Sequence, residues 1–341
     1  MSSLFLPVAL SFFANSVLAA PAGFVTGTNL PPNIAQQAGG GLPDQPGTPP
    51  ISQNAKDNFQ VANFLENLES AYFQEGVRNF TQWGTGGQTG GVRNIDVVSH
   101  MAAQEEVHVA SIVGLLQGNG VQDVAPCEYS FPVTDPTSFF ALGNIITTVG
   151  IGALIGLADA LSQTDPGIEA TIASILPVES RHDAFFRMTA NEIPNPTTFE
   201  TKISGIWAYN LALDFTVPGS CTNLPPSITN LPVFPDLGIV GYGAPSFATP
   251  NAPGKLIFRV GQSHMMPQGW DSGPLFMAWI NQNNLPAYTP VTLIGNGELH
   301  ADVHPGMFGI AFAALTNQNT ATNVDDLTKA TLAGPLPIPL T

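Results

Sequence analysis

Two copies of one four-residue pattern constrain this chain more than any other feature in it. Glu105-Glu106-Val107-His108 and Glu179-Ser180-Arg181-His182 each set a glutamate three residues ahead of a histidine. Both fall in stretches of helical periodicity, where an i, i+3 spacing brings two side chains to one face. In the first copy that face runs Val98, Met101, Glu105, His108, Ile112, Leu115, and in the second Ile168, Ile172, Ile175, Glu179, His182, Phe186. Each acid therefore sits within an apolar stripe, and none of the nine Lys and Arg residues lies on either one. A carboxylate turned toward a core is costly unless something positive meets it. A metal cation is the simplest partner. Two facing helices with Glu-x-x-His, joined by a Glu from each of two further helices, build a dinuclear carboxylate site inside a four-helix bundle.

The remaining periodicity supplies such a bundle. Val61, Leu65, Leu68, Tyr72 and Phe73 recur at helical spacing between Ser52 and Gln82, and a Gly-rich loop runs from Gly84 to Gly91. A second helix is predicted from Asn94 to Gln117, ended by Gly118-Asn119-Gly120. Asp135-Pro136-Thr137 opens a third, very apolar helix to Leu161, and Asp165-Pro166 opens a fourth to Ala190, ahead of Pro194 and Pro196. The connection from 118 to 136 is the longest of the three, as needed to set two helices parallel. In the first helix Glu69 has Leu65, Leu68, Tyr72 and Phe73 around it and is the better ligand candidate. Glu66, beside Ala62, Asn63 and Ser70, reads as a solvated carboxylate. Tyr72 reads as core packing, and Pro177, two residues before Glu179, as a bend in the fourth helix.

The flanking segments set compartment and domain plan. Residues 1–20 pass from an apolar run to Val17-Leu18-Ala19-Ala20 before Pro21, the pattern of a secretory signal, so a secreted protein is expected. No later apolar run reads as long enough and free of breakers to span a membrane. Residues 21–51, with Pro-Pro, Gly-Gly-Gly and Pro-Gly-Thr-Pro-Pro, read as an extended arm. A net charge of -16 argues against nucleic-acid or anionic-membrane partners, which need a basic footprint. Cys127 and Cys221 form an even pair that suggests one disulfide, tying the helical half to the second half. Asn79-Phe80-Thr81 is an N-glycosylation acceptor pattern.

From 205 to 341 short β-prone runs, such as Leu256 to Val260, Pro290 to Ile294 and Gly309 to Ala313, alternate with Pro, Gly and Asn turns. The fold class expected is mainly α with a β-rich second module: a four-helix bundle over 52–204, then a sandwich-like domain over 205–341. His264, His300 and His304 in that module are candidate ligands of a separate site, but Gly and Pro around them read as loops.

The helical half resembles the ferritin-like superfamily, specifically exported ferritin-like proteins known in fungi as stress-response and in plants as desiccation-related proteins. The resemblance is carried by Asn63 to Phe73, by Ala103-Gln104-Glu105-Glu106-Val107-His108, by Val149-Gly150-Ile151-Gly152-Ala153-Leu154 and by Ile175-Leu176-Pro177-Val178-Glu179-Ser180-Arg181-His182. It implies a ferritin-like bundle with a metal site at Glu69, Glu105, His108, Glu179 and His182. It also implies a glutamate on the third helix where this chain has Thr147, with Asn144 a weak neutral donor nearby and Asp159 about 18 Å away. The implied site is lopsided: one metal near Glu69, Glu105 and His108, and a second near His182 short of a carboxylate. Carboxylate and imidazole ligands suit iron, manganese or zinc better than copper(I), and iron or manganese is the cofactor expected here. Two functions are consistent with these residues: oxidative or stress-related metal chemistry, or a non-catalytic extracellular protein that keeps the bundle as a scaffold and meets a cell-wall or other extracellular partner through the β-rich module.

Overall fold

The computed structural model describes residues 30–43, 50–243, 254–261, 264–295 and 298–340. The signal-like segment lies outside them. The described residues form two compact units that divide between Pro232 and Val233.

The helical unit is built on four long helices: α2 (Gln53–Trp83), α3 (Asn94–Gly118), α4 (Pro136–Leu161) and α5 (Glu169–Thr189). The starts of α2 and α4 are marked by polar caps that satisfy free backbone N–H groups. Ser52 Oγ accepts from Ala55 N, and Asp165 accepts from both Ser52 N at 2.7 Å and Ser52 Oγ at 2.5 Å, joining the start of α2 to the turn that leads into α5. Asp135 and Ser138 form a reciprocal capping box on α4. The helix α5 runs on through Pro177 without a break.

Side-chain layers fix the helix directions. Ile51 just ahead of α2, with Ala55 and Phe59 within it, shares one aliphatic cluster with Ile112 and Leu116 of α3, Leu154, Leu157 and Leu161 of α4, Ile168 just ahead of α5 and Ile172 within it. At the other end of α2, Tyr72, Phe73, Phe80 and Trp83 join Phe139 and Phe140 of α4 and Phe186 of α5 in a chain of ring contacts. The helices α3 and α4 therefore run parallel, both ending in the aliphatic layer, as the long connection between them requires.

That connection, residues 119–135, does more than span. It lies along α2, where Asn67 Nδ2 donates to Val124 O at 2.8 Å, Val124 N donates to Asn63 Oδ1 at 2.8 Å, and Gln60 Nε2 donates to Gln122 O. Asn63 Oδ1 and Asn67 Nδ2 are thus buried polar atoms with partners, and α2 is covered on the side its sequence makes look wet. The disulfide forms between Cys127 and Cys221, a separation of 94 residues. It does not reach the second unit: residues 205–232, including α6 (Gly205–Leu213) and α7 (Pro226–Thr229), belong to the helical unit and pack on α2. The segment before α6 rests on α4 where Gly152 and Gly156 leave room, since a Cβ at either would collide with the carbonyl of Thr201 or Ile203.

Two further features differ from the sequence expectation. Part of the arm is ordered as a short helix, α1 (Pro32–Ala38), which packs on α3. And α4 does have the length and apolarity to cross a membrane. Its phenylalanines and leucines instead face α2 and α5, so its apolarity serves the bundle core.

The second unit is one seven-stranded antiparallel sheet, ordered β3-β4-β7-β6-β5-β8-β9, not two stacked sheets. Its strands are β3 (Leu237–Gly243), β4 (Lys255–Val260), β5 (Phe276–Ile280), β6 (Ala287–Gly295), β7 (Glu298–Asp302), β8 (Ile310–Thr316) and β9 (Thr331–Pro339), with α8 (Val324–Ala330) before the last. The remaining two strands, β1 (Gln88–Thr89) and β2 (Val92–Arg93), make a small hairpin between α2 and α3. In the large sheet, β5, β6 and β7 form a meander that returns to β4, a Greek-key arrangement. The edges approach each other, with Gly334 N donating to Pro235 O at 2.9 Å, so the sheet is nearly a barrel. Leu256 and Phe258, Met277 and Trp279, Leu299 and Ala301, and Ala313 and Leu315 alternate into a single core. Short strands with this period-2 pattern suit a sandwich or a barrel equally, and only the approach of β3 to β9 separates the two.

Candidate metal centre

The four long helices bring the two Glu-x-x-His pairs face to face between the aliphatic and aromatic layers. Nδ1 of His108 lies 3.1 Å from Glu105 Oε2 and 3.2 Å from Glu179 Oε1. Nδ1 of His182 lies 3.1 Å from Glu105 Oε1 and 3.3 Å from Glu179 Oε2. Each glutamate thus presents one oxygen to each histidine, its own helix's and its neighbour's. Glu66 Oε2 stands 3.7 Å from His108 Nδ1.

Several of these atoms are buried without a hydrogen-bond partner: Glu66 Oε2, Glu105 Oε1, both carboxylate oxygens of Glu179, and His182 Nδ1. Their nearest charged partners are one another and His108, at 3.1 to 3.7 Å. Buried polar atoms are nearly always satisfied, so a converging set left open is what a cation would complete. Two triplets, Glu66 with Glu105 and His108, and Glu105 with Glu179 and His182, each offer ligand atoms within 4.8 Å of one another. The residues fit a metal of the imidazole and carboxylate class.

Electrostatics give the same picture. Burial pushes the Glu66 carboxyl up to about 8, against a partial offset from His108. Burial, then the charges of Glu179, Glu105 and Glu66, push Glu69 well above the usual carboxylate range. Burial also acts to raise Glu105, but the two imidazoles outweigh it and hold this carboxyl well below its ordinary value. For the histidines burial acts downward and is overcome by the acids, which lift His108 well above its ordinary value and His182 to about 9. Protons therefore neutralise much of the metal-free cluster, and a cation would displace them.

All five residues expected from the sequence, Glu69, Glu105, His108, Glu179 and His182, are buried in this bundle interior. One expectation fails: Glu66 is no surface carboxylate, and it is Glu66 rather than Glu69 that stands beside His108. Its apparently polar surroundings, Asn63 and Ser70, lie under the 119–135 segment or within the core. The carboxylate of Glu69 occupies the space above Gly150 of α4, where a Cβ would collide with its Oε1. Thr147, one turn earlier, is fully buried with no partner for its hydroxyl. Asn144 is committed elsewhere, donating to Asp183 Oδ1 at 2.5 Å, and Asp159 pairs with Lys202 near the end of α4. The Tyr72 hydroxyl donates to Phe139 O, and its ring stacks on Phe139, so Tyr72 is packing.

One contact had no signal in the sequence. Gln104, next to Glu105, meets His182 Nε2 with its side-chain oxygen at 2.8 Å. In the second unit His300 lies on the β7 face opposite the core, His264 is exposed, and His304 Nδ1 meets Pro305 O. Among the described residues of that unit no three acidic, histidine or cysteine groups converge.

No curated protein matches this chain. Residues 54–192 match the family model of the ferritin-like domain, and that range runs from the first turn of α2 to just past α5. The helical unit of this protein therefore contains a ferritin-like domain, with a nearly closed antiparallel sheet after it in the chain.

Proposed function

We propose that the ferritin-like domain binds a pair of divalent iron or manganese ions and that the protein is an exported, metal-dependent oxidative or stress-related protein. The observation that carries this reading is the reciprocal bridging geometry, in which Glu105 and Glu179 each lie within 3.3 Å of both His108 and His182. Glu66 and Glu69 complete the ligand set. Four ionised carboxylates balance two divalent cations, so the interior can be neutral once protons leave. Glu66 thereby supplies the charge that Thr147 does not. When bound, such ions would supply Lewis-acid and redox chemistry toward dioxygen or peroxide. The chain's own part is to hold the carboxylates and imidazoles in register and to keep water out with the aliphatic layer on one side and the rings of Phe73, Phe139 and Phe186 on the other. Export is supported by the leader-like segment and by the disulfide, which persists in oxidising compartments.

A second reading keeps the bundle as a scaffold without catalysis, with an extracellular partner for the sheet unit. The buried Thr147 favours it, because α4 brings no acid to the centre. Metal analysis of protein purified without chelator separates the two. About two equivalents of iron or manganese are expected in the unmodified protein, with near-complete loss in Glu105→Ala and in Glu179→Ala. Absence of bound metal, with no rise in thermal stability on adding either ion, overturns the metal reading. In Thr147→Glu, unchanged stoichiometry is expected if Glu66 already completes the set, whereas a rise shows a site one ligand short.

A further inference from the structure

The two halves of the centre are not equally enclosed. Glu66, Glu69 and His108 keep 6–8% of their surface exposed, whereas Glu105, Glu179 and His182 keep 0–2%. Behind the closed half lies Gln104, and behind Gln104 lies α1.

The contacts form a chain in which each polar atom has one consistent role. His182 Nε2–H donates to Gln104 Oε1 at 2.8 Å. The Gln104 amide nitrogen donates to Ala38 O at 3.4 Å and to His100 Nε2 at 3.3 Å. His100 Nδ1–H in turn donates to Gln37 O, and Gln37 Nε2 donates to Ser99 O at 3.0 Å. A flipped Gln104 amide would set its oxygen against the Ala38 carbonyl, so the end of α1 dictates which way the amide points. That orientation puts the proton on His182 Nε2 and leaves Nδ1 free to ligate between Glu105 and Glu179.

We propose that Gln104 is the positioning residue for His182, and that helix α1 of the N-terminal arm holds Gln104 in place and so tunes the closed half of the centre. This rests on the metal reading above, but the ring orientation of His182 is a property of the metal-free protein and can be read without metal.

Three full-length variants test it. Gln104→Leu removes both the acceptor for His182 and the donors to α1. Gln104→Glu keeps the acceptor and removes the donors. Gly39→Val disturbs the left-handed residue that ends α1, at φ 80°, where a side chain would press on His100. In metal-free protein labelled with 15N-histidine, a slowly exchanging Nε2–H resonance, assigned by its absence in His182→Gln, is expected in the unmodified chain and in Gln104→Glu. It should be lost in Gln104→Leu and weakened in Gly39→Val. Manganese titration should show about 10–100-fold weaker binding of one of two ions in Gln104→Leu, recovery in Gln104→Glu, and an intermediate loss in Gly39→Val. Hydrogen exchange across residues 32–43 should rise in Gln104→Glu and Gly39→Val. An unchanged His182 resonance and unchanged titration in Gln104→Leu overturn the positioning role, and unchanged behaviour of Gly39→Val overturns the part given to α1. If the unmodified protein takes up no metal while the resonance behaves as stated, the metal reading fails and the positioning of His182 by Gln104 stands.

Discussion

Raising the pH should weaken the metal-free protein, and Glu66 should account for much of the loss. Its carboxyl moves from an ordinary 4.5 to about 8 in the folded chain, mainly through burial. Between those values the folded protein holds a proton that the unfolded chain has released. The stability is therefore full below 4.5 and drains away as pH rises through about 8. At about 1.4 kcal/mol per pH unit, the loss from this group is about 5 kcal/mol, a large part of the net stability of an ordinary domain. His182 acts in the same direction: raised from 6.5 to about 9, it contributes stability present below 6.5 and lost as pH rises through about 9. The assay is urea unfolding monitored by far-UV circular dichroism, in chelator, at about pH 5 and about pH 9. The Glu66→Gln variant, shaped like the protonated acid and unable to ionise, should keep about 4 kcal/mol of what the unmodified chain loses across that window. Added manganese should flatten the dependence, because the ions replace the protons. A stability that stays level or rises with pH in chelator, or a Glu66→Gln variant that declines as steeply as the parent, would refute the burial and charge argument for this site.

Other outcomes rest on particular contacts. Cys127→Ala with Cys221→Ala opens a 94-residue separation and should cost about 4–5 kcal/mol in the chain-entropy description; the loss should appear in the helical transition by circular dichroism, and no change there would contradict the placement of both cysteines in that unit. Gly150→Ala puts a Cβ into the space of the Glu69 carboxylate, so metal uptake measured by elemental analysis should fall while the gain in helix propensity, about 0.5–1 kcal/mol, offsets the strain. Full uptake in that variant would remove Glu69 from the ligand set. His300→Ala with His304→Ala should leave metal content unchanged, and its loss would move the centre to the sheet unit.

The bundle was legible because its signals are local. Apolar periodicity, Pro and Asp at helix starts and Gly at helix ends place α2 to α5 within a few residues, and the doubled Glu-x-x-His names four of the proposed ligands. The misreadings all arise where distant segments meet. Glu66 looks solvated beside Asn63 until the 119–135 segment supplies partners for that amide. The β-rich strands were placed by alternation, but alternation is indifferent to whether a sheet closes or doubles. Residues 205–232 share the Pro and Asn content of the later loops, yet their apolar side chains, Trp207 and Leu211 among them, are buried in the helical unit.

The doubled Glu-x-x-His divides in the same way. Spacing along one helix is a property of the chain, so periodicity alone puts Glu105 with His108, and Glu179 with His182, on shared faces turned inward. Which carboxylate stands beside which histidine depends on helix rotation and on what covers each helix from behind. Only the tertiary structure could place Glu66 beside His108, lay Glu69 over Gly150, and set Gln104 and the arm behind His182, because those contacts join residues that carry no periodic relation to one another.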